Sequence, residues 1–127
     1  MKASILLCTT AALTLASAAY AKPHEANQCF FTRDIENYLA PDDHTLYLRI
    51  HNNDIYRIDL ANECPNLNTG GLNHISLQTA PGSPTVCHAV DLDLRVSGLG
   101  VSAPCIVKGL HKLTPDEVAA LPKKDKP

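Results

Sequence analysis

The chain has 127 residues, of which 13 are acidic and 11 basic, so its net charge at pH 7 is −2. A chain of this length is expected to form one domain with a modest core. Its net negative charge argues against a surface that binds nucleic-acid phosphates irrespective of sequence. Length and charge therefore indicate a small single-domain protein whose partners do not include nucleic acid.

The N-terminal segment has the features of a secretory signal peptide. Lys2 provides a positive start, residues 3–18 are mostly apolar or small, and Ala19, Tyr20 and Ala21 form an A-x-A cleavage site. The strongly apolar part is shorter than the roughly 20 residues that a membrane span requires. We therefore predict a signal peptide over residues 1–21, export to the periplasm or the extracellular space, and no stable membrane anchor.

The segment that follows the signal peptide leads into the folded domain. Residues 22–28 are polar and show no apolar period, which predicts a flexible lead-in. The domain itself is expected over residues 29–122, and it opens with an irregular strand within residues 30–40. Residues 41–44, PDDH, are typical of a turn, because proline presets the backbone angle and aspartate bonds to following amides.

The strongest local signal is a β-hairpin over residues 45–64, where apolar and polar side chains alternate on both arms. A three-residue loop at residues 52–54 would bring the two apolar faces together and pair Leu48 with Ile58. Asparagine and aspartate in that loop tolerate the left-handed backbone geometry that it needs. The sequence therefore predicts both the hairpin and its register.

The outer face of this hairpin is the candidate interaction face. It combines an aromatic ring with charged groups, from Tyr47, Arg49, His51, Arg57 and Asp59. The predicted register sets Arg49 opposite Arg57, a mildly destabilising like-charge pair. Such a pair can mark contact with an anion or a carboxylate, and two solvated arginines that splay apart are the alternative.

Further strands are predicted over residues 74–79 (HISLQT), over residues 85–97 (TVCHAVDLDLRVS) and from Cys105 to Leu113, with a bulge at Gly109. Turn-forming segments separate the strands, over residues 66–71, 80–84 and 98–103. The side chains in the middle of apolar strand faces should be buried, and these are Leu48, Ile58, Val90, Leu92 and Leu94.

The chain changes its pattern at Thr114, which is a candidate helix N-cap. Pro115 suits the first helical position, and Glu117 completes a capping box with the threonine. These residues predict a short helix that ends near Leu121, followed by a charged tail over residues 123–127. The fold class is therefore mainly β, a small antiparallel β-barrel or rolled sheet of five to six strands with a short C-terminal helix.

Four cysteines remain outside the predicted signal peptide: Cys29, Cys64, Cys87 and Cys105. An even number of cysteines in an exported chain predicts two disulfides, and four cysteines permit three pairings. We predict Cys29 with Cys105, which would join the outermost strands. The other pair would then be Cys64 with Cys87, which bracket the least regular part of the chain.

Few residues have the spacing of a catalytic or metal site. Asp91 and Asp93 would lie about 7 Å apart on one strand face, where they could bind a cation or serve, with a histidine, in hydrolysis. An ordinary solvated face shared with Arg95 is the favoured interpretation. The six histidines form no H-x-x-x-H or H-E-x-x-H pattern, so we predict no metal or other cofactor. A hydrolase and a histidine-based metal-binding protein remain alternatives.

Several short elements together resemble a known family. They are Cys29, Arg33-Asp34-Ile35, Asp42-Asp43, Thr45-Leu46, Tyr56, Leu60, Cys64-Pro65-x-Leu67, Cys87 and Cys105. This series is similar to the small exported bacterial proteins grouped as domain of unknown function 6491. The resemblance implies an exported, disulfide-bonded, β-rich domain, with no activity or catalytic residue to transfer. We therefore predict a non-enzymatic binding or interaction module that recognises a protein or another cell-envelope ligand.

Overall fold

The computed structural model describes residues 29–68, 74–98 and 100–127. The predicted signal peptide over residues 1–21, the lead-in over residues 22–28 and parts of the loops predicted at 66–71 and 98–103 lie outside the described residues. The elements of the described chain are β1 (Ile35–Leu39), β2 (Thr45–Ile50), β3 (Asp54–Leu60), β4 (His74–Thr79), β5 (Leu92–Gly98), β6 (Val101–Cys105), β7 (Val107–Lys112) and α1 (Pro115–Ala120). No helix in these ranges is long and apolar enough to cross a membrane.

The strands form two antiparallel sheets around one core. The first has the order β1-β2-β3-β7 and the second the order β4-β5-β6. Ile106 alone separates β6 from β7, so the chain passes there directly from one sheet to the other. Apolar side chains from both sheets, including Leu48, Ile58 and Leu94, meet in a single cluster. The mainly β prediction is confirmed, but the described residues form seven strands instead of five to six. The additional strand is β6, which begins at Val101 within the segment predicted as a turn. Closure of the two sheets into a barrel stays a prediction.

The predicted hairpin forms between β2 and β3, but its register differs by two residues. Leu48 pairs with Tyr56 instead of Ile58, because the loop occupies residues 51–53 and not 52–54. The asparagine that ends this loop has a φ of 64°, a left-handed conformation that asparagine tolerates better than most residues. A shift of two residues returns every side chain to the same face. The predicted inward-facing set is therefore right although the pairing is wrong.

Burial confirms most of the predicted core, namely Leu48, Ile58, Leu92 and Leu94. Val90 is the exception, because 82% of its surface is exposed. The predicted strand over residues 85–97 is interrupted by a 3-10 turn at Ala89–Asp91, and β5 begins only at Leu92. Alternation of side chains holds only within a continuous strand, so the turn directs Val90 to solvent.

The disulfide pairing predicted from the sequence is wrong, since the structure joins Cys29 to Cys87 and Cys64 to Cys105. Phe30 and Val86 form an antiparallel bridge through two backbone hydrogen bonds of 3.0 and 2.8 Å. Their outer neighbours Cys29 and Cys87 are thereby brought directly opposite each other.

The second disulfide follows from a similar backbone contact. The N–H of Ala61 donates to the carbonyl of Ile106 over 2.9 Å, which holds the chain after β3 beside the junction of β6 and β7. Cys64 and Cys105 are both buried there. Two disulfides are typical of a protein that folds in an oxidising compartment.

The C-terminal helix starts as predicted with a capping box. The N–H of Glu117 donates to Thr114 Oγ1 over 3.3 Å, and the N–H of Thr114 donates to Glu117 Oε2 over 2.7 Å. His111 Nε2 on β7 lies 3.2 Å from the same carboxylate oxygen. The hydrogen bond from Thr114, followed by the one from His111, lowers the pKa of Glu117. The cap therefore also fastens α1 to β7.

Candidate functional site

The predicted interaction face is not one continuous surface, because its first strand is largely covered. Tyr47 is only 7% exposed, and Ile55 on the neighbouring strand is buried as well. Arg49 Nη1 donates to the backbone oxygen of Pro127 over 3.3 Å, and Pro127 itself is buried. The C-terminal residues therefore return to the outer face of β2, and the expected exposed aromatic ring is not available there.

The charged groups of that face have partners within the fold. Glu36 on β1 places its carboxylate 3.6 Å from Arg49 Nε and 3.3 Å from Nδ1 of His51, which lies in the hairpin loop. Arg49 pairs across the sheet with Ile55, so the predicted contact between two arginines does not occur. Arg57 Nε donates to Asp59 Oδ1 over 2.8 Å. The polar residues predicted as one site thus belong to separate local contacts.

The two aspartates considered for catalysis also differ from the prediction, since only one of them lies on a strand. Asp91 belongs to the 3-10 turn, and its Oδ2 accepts from the backbone N–H groups of Cys87 and His88 over 3.1 and 2.9 Å. These two backbone bonds lower the pKa of Asp91. A general acid or base works best with a pKa near the operating pH, so this carboxylate suits a structural role.

The other residues considered for chemistry show no comparable arrangement. Asp93 on β5 accepts from Arg95 Nε over 3.3 Å, as expected for the solvated face that the sequence favoured. In residues 29–68, 74–98 and 100–127, no group of three or more histidine, cysteine or carboxylate side chains is placed to hold a metal ion.

The structural role of Asp91 predicts a pH dependence of stability. Its folded pKa lies below the usual value of 3.8, so its contribution is fully present above that value and is lost as the pH falls through the folded pKa. We expect Asp91→Asn to lower the melting temperature at pH 7, with the deficit narrowing below about pH 4. Circular dichroism measures the melting temperatures of the two proteins between about pH 2 and about pH 7. This range roughly covers the titration of a carboxyl group.

The matched control for this substitution is Asp93→Asn, which removes the same charge from a neighbouring exposed position. Its carboxylate contacts an exposed arginine side chain, and surface ion pairs contribute little to stability. We expect its melting temperature to follow that of the unchanged protein at every pH. Equal effects of the two substitutions would contradict the assigned role of Asp91.

An open cleft lies where the free edges of the two sheets face each other. It has a volume of about 280 Å³ and is lined mainly by β1 on one side and β4 on the other. Tyr38 and Glu36 contribute exposed side chains, while Ile75 and Leu77 contribute half-buried ones. We call this feature the edge cleft. It combines apolar surface with polar groups at a position where neither sheet continues.

The two strands that border the edge cleft differ in how they are protected. A sheet edge presents unpaired backbone N–H and C=O groups that can bind another strand. β1 carries Glu36 and a register shift between Ile35 and Asn37, and both features discourage such pairing. β4, with the sequence HISLQT, contains no acidic residue, lysine, arginine or proline. Its outer edge, which the 3-10 turn at Thr32–Asp34 approaches in part, therefore lacks these protective side chains.

Sequence reasoning did not find the edge cleft, although it predicted the strand that became β4. The residues that meet there, such as Tyr38 and Leu77, are far apart in the chain, and no local pattern indicates which strands end each sheet. The absence of charge and proline in residues 74–79 was the one available signal.

Comparison with known proteins identifies a family without an assigned activity. The model of the family of unknown function DUF6491 matches residues 1–126. No curated protein matches the chain, and no solved structure does either. Because the match spans nearly the whole sequence, the chain belongs to the DUF6491 family of unknown function.

Proposed function

We propose that this chain is an exported, non-enzymatic binding module that takes an extended peptide segment of a partner protein into the edge cleft. The main observation behind this proposal is that β1 and β4, which are edge strands of the two sheets, border one open cleft. The signal-peptide pattern and the two disulfides support a site of action in the periplasm or the extracellular space.

The position of the edge cleft favours a strand over a small organic ligand. Pockets for small molecules enclose most of the ligand, whereas this cleft of about 280 Å³ is open and runs along a sheet edge. Strand addition draws its affinity from main-chain hydrogen bonds along a sheet edge, and it needs only shallow sites for alternate side chains. Leu77 and Ile75 would contact every second residue of the added strand.

The surroundings of the edge cleft supply the rigidity that strand addition requires. The bridge between Phe30 and Val86, with the adjoining disulfide at Cys29, fixes the chain just before β1. A preformed edge binds with a smaller loss of conformational entropy than a flexible one. The partner segment would then lie beside β4, and its apolar side chains would contact Tyr38.

Selection from a peptide library tests this proposal with a defined probe. Random peptides of about eight residues, longer than the usual strand of about five or six, are selected on the oxidised protein and then resynthesised. We expect binders with alternating apolar residues, and amide chemical shifts that change along β4. Methylation of alternate backbone nitrogens in the peptide should abolish binding, because it removes main-chain donors while it keeps the side chains.

The matched variants are Tyr38→Ala in the edge cleft and Ile106→Ala outside it. Both side chains are exposed, with Tyr38 at 43%, so neither substitution should unfold the protein. Loss of the aromatic contact should weaken peptide binding about tenfold, equivalent to about 1.4 kcal/mol, and Ile106→Ala should leave it unchanged. Peptides that bind Tyr38→Ala with full affinity, or that tolerate backbone methylation, would contradict strand addition.

A further inference from the structure

A second cleft lies on the outer face of the four-stranded sheet, away from the edge cleft. It has a volume of about 420 Å³, and its lining includes His44, Arg57, Asp59, Lys108 and Gly109. Asp59 on β3 pairs with Thr45 on β2 at one side and with Gly109 on β7 at the other. Their chain neighbours His44 and Lys108 therefore border the cleft from opposite directions. We call it the basic cleft.

The basic groups of this cleft are only partly neutralised. Arg57 uses its Nε to donate to Asp59 over 2.8 Å, and this contact orients the guanidinium group. Within the described ranges, its Nη atoms, the Lys108 ammonium and the ring of His44 have no hydrogen-bond or ion-pair partner. Two cations and one carboxylate line the cleft, and the carboxylate of Asp42 lies close enough to act electrostatically on Arg57 as well. Hydrogen-bond donors are thus available in a preformed depression.

The backbone around Lys108 contributes to the shape of the cleft. The pairing of β3 with β7 is irregular next to Asp59, so Lys108 is the extra residue of a bulge, and bulges redirect a side chain from its regular position. Gly109 does not have a positive φ, so the backbone conformation does not require glycine there. A Cβ at this position would lie 3.5 Å from Oδ2 of Asp59, which also lines the cleft.

We propose that the basic cleft binds the phosphate group of a small ligand. Guanidinium and ammonium groups are the preferred protein partners of phosphate, the first as a fork of donors and the second as a point charge. A tetrahedral phosphate accepts hydrogen bonds from several directions, which suits donors that border a cleft on opposite sides. Phosphate binding at the basic cleft is independent of peptide binding at the edge cleft. An experiment can therefore contradict one proposal without contradicting the other.

Titration with inorganic phosphate and with glycerol phosphate tests the basic cleft, with amide chemical shifts of the intact oxidised protein as the readout. At low salt we expect saturable shifts centred on Thr45, Lys108 and Gly109. Tighter binding of glycerol phosphate would assign a phosphate ester as the ligand, and equal or tighter binding of inorganic phosphate would assign the free ion. Sodium acetate at matched ionic strength tests whether the cleft binds a carboxylate. Sodium chloride at the same ionic strength tests for nonspecific screening.

Two variants that each lose one positive charge distinguish a specific phosphate site from general electrostatic attraction. Lys108→Gln removes a cation from the cleft, whereas Lys124→Gln removes one from the exposed C-terminal segment. We expect the first to weaken phosphate binding about tenfold or more, in line with the loss of a charge-assisted hydrogen bond, and the second to have no effect. Gly109→Ala should also weaken binding while the protein stays folded, because its added methyl makes only ordinary contacts. Equal losses in the two lysine variants, or acetate binding as tight as phosphate binding, would overturn the proposal.

Discussion

Replacing Leu48 by alanine is expected to lower the free energy of unfolding by about 2–5 kcal/mol, the usual cost of removing a fully buried leucine side chain. Leu48 has no exposed surface, and it belongs to the cluster that joins both sheets. Small domains have a total stability of about 5–15 kcal/mol, so this loss is a large fraction of the whole. Denaturation in urea, followed by circular dichroism under oxidising conditions, measures it.

Val90→Ala is the matched control, because the sequence assigned both residues to the core and the structure exposes Val90. A surface substitution of this kind changes stability by no more than about 0.5 kcal/mol. The pair therefore tests the 3-10 turn at Ala89–Asp91 as well as the hairpin. A destabilisation of Val90→Ala comparable to that of Leu48→Ala would show that the strand predicted over residues 85–97 is continuous.

Local chemistry made some parts of this fold predictable. The helix cap at Thr114, Pro115 and Glu117 is encoded by adjacent residues, and the structure forms it with the expected hydrogen bonds. The inward faces of β2 and β3 follow from alternation alone, which a register shift of two residues does not change. Features determined by residues close in sequence were thus accessible without a structure.

Other parts depend on contacts between distant segments. Alternation over residues 85–97 suggested one strand, but the carboxylate of Asp91 binds backbone N–H groups of Cys87 and His88 and stabilises a turn instead. Arg49 Nη1 donates to the backbone oxygen of Pro127, and no local pattern indicates this return of the C-terminal residues to β2. The edge cleft likewise exists only because β1 and β4 each end a sheet. The candidate sites were therefore less predictable than the strands that form them.

The corrected disulfide pairing can be checked by peptide mapping under nonreducing conditions. Trypsin alone is insufficient, because no lysine or arginine lies between Cys64 and Cys87 and both would remain on one peptide. Additional cleavage by chymotrypsin, for example after Leu67 or Leu77, separates them. We expect linked peptides that contain Cys29 with Cys87 and Cys64 with Cys105. A peptide that links Cys29 to Cys105 would restore the pairing inferred from the sequence.

Removal of the buried disulfide by the double substitution Cys64→Ala and Cys105→Ala should cost about 4 kcal/mol. The chain-entropy model gives this value for a loop of 41 residues, and a domain of this size loses roughly 4–8 °C in melting temperature per kcal/mol. The double substitution Cys29→Ala and Cys87→Ala opens a loop of 58 residues and should cost a similar amount. Prepared without residues 1–21, which contain Cys8, neither variant should have free thiols, because each leaves one native disulfide intact. Two titratable thiols in either variant would show that the cysteines are paired differently from the structure. In that case each of the two remaining cysteines would have lost its partner to the substitution.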